Sequence, residues 1–155
     1  MFLRFLVALA LTLPSHACSE PPFPVKGTMR GVASVVDGDG IAIAGTEVRL
    51  QGLAAPEDRR GRVDPGGKEA TAALQALVEG KPVVCFLDGT KTRGRPVGVC
   101  EYQGVDVATI LVRDGFARDC PRFSKGRYAD AEATARANGR DLSLIYELPK
   151  YCVSR

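Results

Sequence analysis

Between Met29 and Leu53 apolar residues alternate with small or polar ones, and Asp37-Gly38-Asp39-Gly40 and Ala44-Gly45-Thr46-Glu47 interrupt the alternation with turn sequences. A period of two puts successive side chains on opposite faces, so this stretch is predicted to form three consecutive antiparallel strands. Over Gly66–Glu79 the period changes. Ala70, Ala73, Leu74, Leu77 and Val78 recur at helical spacing, and Gly80 ends the run. Two further apolar segments, Pro82–Leu87 and Arg95–Gln103, flank a turn-rich stretch and are predicted to pair as a hairpin. Val107, Ile110 and Leu111 predict a short helix stopped by Gly115. Alanine-rich Arg127–Ala137 predicts another, stopped at Asn138-Gly139. The expectation is an α+β fold: a five-stranded barrel, with one helix between strands three and four and further helices at the C-terminal end.

The N-terminus has a different character. Arg4 precedes an apolar run, Phe5–Leu13, which Pro14 breaks ahead of Ser15-His16-Ala17. This three-part pattern predicts a secretory signal over residues 1–17, too short to span a bilayer as a helix of about 20 residues. Residues 18–27, with Pro21, Pro22 and Pro24, read as an extended lead-in, and residues 28–155 as one domain. The expected location is periplasmic or secreted. A lipid anchor through Cys18 is the minor alternative, because Ser15 and His16 suit a lipoprotein signal poorly.

Removal of residues 1–17 has a chemical consequence, since His16 is the only histidine. The remaining chain has no imidazole. That excludes a Ser-His-Asp triad, a Cys-His dyad and a His-ligated zinc site. Chemistry falls to Asp, Glu, Lys, Arg, Tyr or Cys. Without Arg4, 20 basic residues face 18 acidic ones. This excess is too small to identify a polyanionic partner.

Five cysteines are many for an exported chain of this size, and no CxxC zinc motif occurs. Cys85 and Cys100 lie on the two arms of the predicted hairpin, while Cys120 and Cys152 bracket the C-terminal region. Four cysteines allow three pairings. The local Cys85–Cys100 link, with Cys120–Cys152, is preferred, and Cys18 is left over.

Several short motifs follow in order. Val36-Asp37-Gly38-Asp39 ends the first predicted strand, and Arg49-Leu50-Gln51-Gly52-Leu53-Ala54-Ala55-Pro56-Glu57 ends the third. Gly67-Lys68-Glu69-Ala70 opens the helix, Gly94-Arg95 opens the fifth strand, and Val112-Arg113-Asp114-Gly115-Phe116-Ala117 ends the next helix. Across roughly residues 29–145 this order and spacing resemble the staphylococcal nuclease family. The resemblance implies an OB-fold barrel that binds and cuts DNA and RNA without regard to the sugar, freeing the 5′ oxygen and leaving a 3′-phosphate. A monomer is expected.

By the same resemblance, Arg49 and Arg95 bind the scissile phosphate and Glu57 is the general base. Asp39 falls on a carboxylate calcium ligand, with Asp37 close by, and Ala55 on a ligand that contributes only its backbone carbonyl. The residue types suit the chemistry. A guanidinium can fork onto two phosphate oxygens, a carboxylate can deprotonate water, and hard oxygens suit Ca²⁺. Phe123 falls near the family's base-stacking aromatic region.

The chain also departs from the family pattern. Ala54 stands where a second calcium-binding Asp is expected, and Gly40 follows the Asp-Gly-Asp turn in place of Thr. Lys91 and Arg93 replace an Asp and a Tyr ahead of Gly94-Arg95 and are expected to contact substrate. These changes leave two readings open: a nuclease, calcium-assisted or not, and a catalytically degenerate OB-fold module that binds nucleic acid or another partner.

Overall fold

A computed structural model describes residues 20–59 and 61–153. The predicted export segment, Cys18 and Arg60 lie outside the described residues. Five strands form the body of the fold: β1 Gly27–Asp37, β2 Gly40–Ile43, β3 Thr46–Leu50, β4 Pro82–Thr92 and β5 Arg95–Tyr102. β2 pairs with β1 and β3, and β4 pairs with β1 and β5, all antiparallel. A short parallel pairing of β3 with β5, Arg49 opposite Val97 and Leu50 opposite Gly98, closes the barrel. This is the OB-fold expected from the element order.

The hairpins are tight for a local reason. Ala44-Gly45 joins β2 to β3 and Arg93-Gly94 joins β4 to β5, each with both residues at positive φ. Such turns match the right-handed twist of the flanking strands. Cys85 and Cys100 are direct cross-strand partners in the β4–β5 ladder and form a disulfide. Cys120 and Cys152 form the second. β4 runs on to Thr92, past the predicted end at Leu87, because the ladder resumes after an irregularity between Leu87 and Lys91.

Helix α1, Gly67–Val78, caps the barrel, with Ala70, Leu74 and Val78 on its buried face. They join Ile41, Ile43, Val48 and Leu50 from β2 and β3 in the main core. Full burial of a Leu or Val side chain contributes about 1.5–3 kcal/mol, so this face holds α1 in place. Helices α2, Val107–Arg113, and α4, Ala129–Ala137, pack beside the barrel. Asp106 ties them together. It caps α2 through the Ala108 N–H at 3.0 Å and accepts from the Tyr128 hydroxyl at 3.0 Å. Arg127 donates to the same carboxylate at 3.2 Å.

A one-turn helix α3, Pro121–Ser124, and two 3₁₀ turns near the C-terminus were not expected from periodicity. They are too short to show a repeat.

Candidate active site

One cleft of about 650 Å³ opens on the side of the barrel where β3 and β5 close. Arg49 reaches it from the penultimate position of β3, where the strand lies between β2 and β5. Arg95 enters from the first residue of β5, directly after the Arg93-Gly94 turn. Glu57 comes from the loop between two short ladders, Leu53–Ala54 with Arg118–Asp119 and Asp58–Arg59 with Arg62–Val63. Asp37 and Asp39 bracket the β1–β2 turn.

Backbone contacts set the Glu57 loop. The Glu57 N–H donates to the Asp64 carboxylate at 3.2 Å, and the Asp64 N–H donates back to the Glu57 carbonyl at 2.8 Å. A Cβ at Gly67 would overlap the same carbonyl, so a glycine is required where α1 meets this loop. The Glu57 carboxylate itself accepts no hydrogen bond and forms no ion pair among the described residues.

The other acids of the cleft floor are paired. Arg49 bonds to Asp39. Arg59 donates to Asp37 at 3.1 Å and to Glu47 at 2.7 Å, and Arg95 donates to Glu47 at 2.8 Å. Asp39 Oδ1 lies 3.8 Å from Arg95. Three carboxylates and three guanidiniums therefore balance. Burial pushes the Asp39 carboxyl up to about 6; Arg49 opposes this, and Asp37 adds to it. Glu47 is held below the ordinary carboxylate range: burial raises it, but its hydrogen bonds from Arg59 and Arg95 outweigh that.

These shifts give a testable pH profile. A raised folded-state value means that ionised Asp39 opposes folding, so stability is lost as pH climbs from about 4 through 6. Glu101, Asp106 and Asp119 are also raised, chiefly by burial, and act in the same direction. Glu47, Asp64 and Asp141 are lowered and withdraw stability only when protonated in stronger acid. Thermal unfolding followed by circular dichroism from pH 3 to 8 should show a maximum near pH 4 and a decline from there to pH 7. A melting temperature that falls steadily from pH 7 to 5 would contradict it.

The model of the staphylococcal nuclease homologues matches residues 47–142, more than half of the chain's 155 residues. The chain belongs to the staphylococcal nuclease family. It is also 42% identical over 117 residues to the succinoglycan biosynthesis protein ExoI of Rhizobium meliloti (strain 1021). That stretch covers 70% of this chain and 61% of the relative, so the chain spans less than two thirds of the relative's length.

In this staphylococcal nuclease homologue, Arg49, Glu57, Arg95, Asp37, Asp39, Ala55, Arg93 and Phe123 all line the cleft. Arg93 stands at its exposed mouth with positive φ, a conformation uncommon for a residue with a side chain. Phe123 is 47% exposed, its ring 5.5 Å from the Arg122 guanidinium. Lys91 is exposed but does not line the cleft. Its strand neighbours Thr90 and Thr92 do, and alternation along β4 sends the intervening side chain the other way.

The residues present do not fit a calcium ion. Asp37 and Asp39 are engaged by arginines, and the Ala55 carbonyl accepts from the Tyr146 hydroxyl at 3.1 Å. Ala54 does not line the cleft; it packs in an apolar cluster with Cys120, Leu142, Tyr146 and Cys152. No group of three His, Cys, Asp or Glu side chains suited to a metal occurs among the described residues.

Glu47, Tyr146 and Tyr151 also line the cleft and were not singled out by the sequence. Glu47 sits two residues before Arg49 on a strand, which puts both on one face, so its placement was legible from alternation. Tyr151 precedes Cys152, and the disulfide to Cys120 holds that stretch near Phe123; both aromatics line the cleft.

Proposed function

We propose that this protein is an exported, sugar-nonspecific nuclease that hydrolyses phosphodiester bonds of DNA and RNA. Glu57 takes a proton from water as the water oxygen attacks phosphorus. The 5′ oxygen leaves with its bonding electrons, and a 3′-phosphate remains. Arg49 and Arg95 hold the phosphoryl oxygens, whose negative charge grows in the transition state. The observation that carries this reading is the state of Glu57. Alone among the acids lining the cleft, its carboxylate accepts no hydrogen bond and forms no ion pair among the described residues, in the same cleft as both arginines. Two disulfides support a location outside the reducing cytoplasm, in the periplasm or medium.

Digestion of plasmid DNA and of RNA by purified protein, in Ca²⁺, Mg²⁺, Mn²⁺ and EDTA, tests the proposal. Arg95→Lys should lower activity by about 10–100-fold. It keeps the charge but loses the fork, whereas outright removal of a transition-state donor costs about 10²–10³-fold. Full activity in Arg95→Lys would remove that arginine from the mechanism.

A second reading, a binding module without catalysis, is favoured by one observation. Arg49 and Arg95 are already occupied by Asp39 and Glu47, so a phosphate must compete for them. The relative's name, which refers to succinoglycan biosynthesis, does not mention nucleic acid. Nucleic-acid binding without cleavage in every condition would decide for this reading.

A further inference from the structure

Arg59 hydrogen-bonds two carboxylates that stand on different strands. Its Nη1 lies 3.1 Å from Asp37 Oδ2 and 2.7 Å from Glu47 Oε1, and its Nη2 lies 3.4 Å from Glu47 Oε2. The side chain reaches the site from the Asp58–Arg59/Arg62–Val63 ladder, two residues after Glu57. Asp37 and Glu47 stand on β1 and β3, on either side of β2. One guanidinium thus joins the first and third strands and the Glu57 loop.

Gly40 makes room for this cluster. A Cβ there would stand 2.8 Å from Asp37 Oδ1, 3.4 Å from Glu47 Oε1 and 3.6 Å from Arg95 Nη1. A side chain at position 40 would displace the Asp37 carboxylate and press on Glu47 and Arg95. Glycine lets them close on one another. The charges also balance without any added ion: Asp37, Asp39 and Glu47 against Arg49, Arg59 and Arg95. A divalent ion would need the same carboxylate oxygens and would sit among three guanidiniums. Hard cations bind more tightly as ligand charge rises. Here the charge of Asp37, Asp39 and Glu47 is already neutralised.

We infer that Arg59 is a built-in counter-cation: its guanidinium, clasped by Asp37 and Glu47, takes up the carboxylates a divalent metal would need, and the cleft works without one. The calcium part of this inference is independent of the nuclease reading. Only the statement that the cleft works without metal rests on it.

The test reads metal binding directly, with calcium alone as the probe. Purified wild type and Arg59→Ala are titrated with CaCl₂ by calorimetry and by thermal shift after EDTA treatment. Wild type should show no heat and no calcium-dependent shift through the millimolar range. Arg59→Ala removes the cation shared by Asp37 and Glu47, leaving Glu47 with Arg95 alone, and should bind calcium about tenfold more tightly than wild type, with a Kd of about 10⁻⁴–10⁻³ M. Arg59→Ala/Glu47→Ala should lose that gain. Arg59→Met, which keeps the aliphatic stem, serves if Arg59→Ala does not fold. Calcium binding by wild type as tight as by the variant overturns the inference, as does a folded Arg59 variant that gains none. If the calcium results hold but wild type neither binds nor cuts nucleic acid, the nuclease reading fails and the counter-cation stands. If wild type cuts in calcium and not in EDTA, the metal-free part is wrong.

Discussion

Glu57→Gln should lower phosphodiester turnover by about 10²–10⁴-fold, the usual effect of losing a general base, while affinity for nucleic acid changes little. The substitution keeps shape and polarity and removes the proton acceptor. In energy this is roughly 3–5 kcal/mol of transition-state stabilisation. The Glu57 backbone is clamped to Asp64 in both directions, so the loop should survive the change. The carboxylate also has no partner among the described residues to be stranded. Single-turnover rates and fluorescence anisotropy with a labelled oligonucleotide separate the two quantities. An unchanged rate would remove Glu57 from the chemistry. A parallel loss of binding and rate would make it a residue that shapes the cleft.

The second large effect is expected at the C-terminal disulfide. Cys120 and Cys152 are separated by 32 residues, and the chain-entropy model gives about 3–4 kcal/mol for closing such a loop. Cys120→Ser/Cys152→Ser should therefore lose about that much stability in urea unfolding. The function should suffer as well. Cys152 holds the stretch carrying Tyr151 and Tyr146 beside the cleft, and Cys120 starts the turn that presents Phe123. Stacking of a base on an aromatic ring contributes about 1–3 kcal/mol, so affinity for single-stranded nucleic acid should fall by about tenfold. Cys85→Ala/Cys100→Ala is the control. That disulfide lies within the barrel wall, so its loss should lower stability and leave affinity nearly unchanged. Equal affinity in the two variants would show that the tail aromatics take no part in binding.

Much of this molecule could be read before any coordinates. The β2 and β3 alternation, the helical period of α1 and the positive-φ turn at Arg93-Gly94 are local properties, set by side-chain periodicity and backbone sterics within a few residues. They are enough to order the five strands, and the motif spacing then points to Arg49, Glu57 and Arg95 as neighbours in space. The Cys85–Cys100 link was legible for the same reason, since a hairpin puts its arms in register.

The balance of charge inside the cleft was not legible. Asp37, Glu47 and Arg59 meet only because β1, β2 and β3 lie side by side and a separate ladder returns Arg59 over them. By the family resemblance, two acids at the Asp-Gly-Asp turn read as metal ligands, and Lys91 and Arg93 as the new cations. The register of β4 instead sends Lys91 away from the cleft, and Arg59 supplies the charge. The sequence by itself determined the strands of the barrel, because periodicity and turn chemistry are local, and its resemblance to the family marked Arg49, Glu57 and Arg95. Only the tertiary structure decided which acids remain available, because an ion pair depends on distances of about 3 Å between segments that sequence separation does not specify.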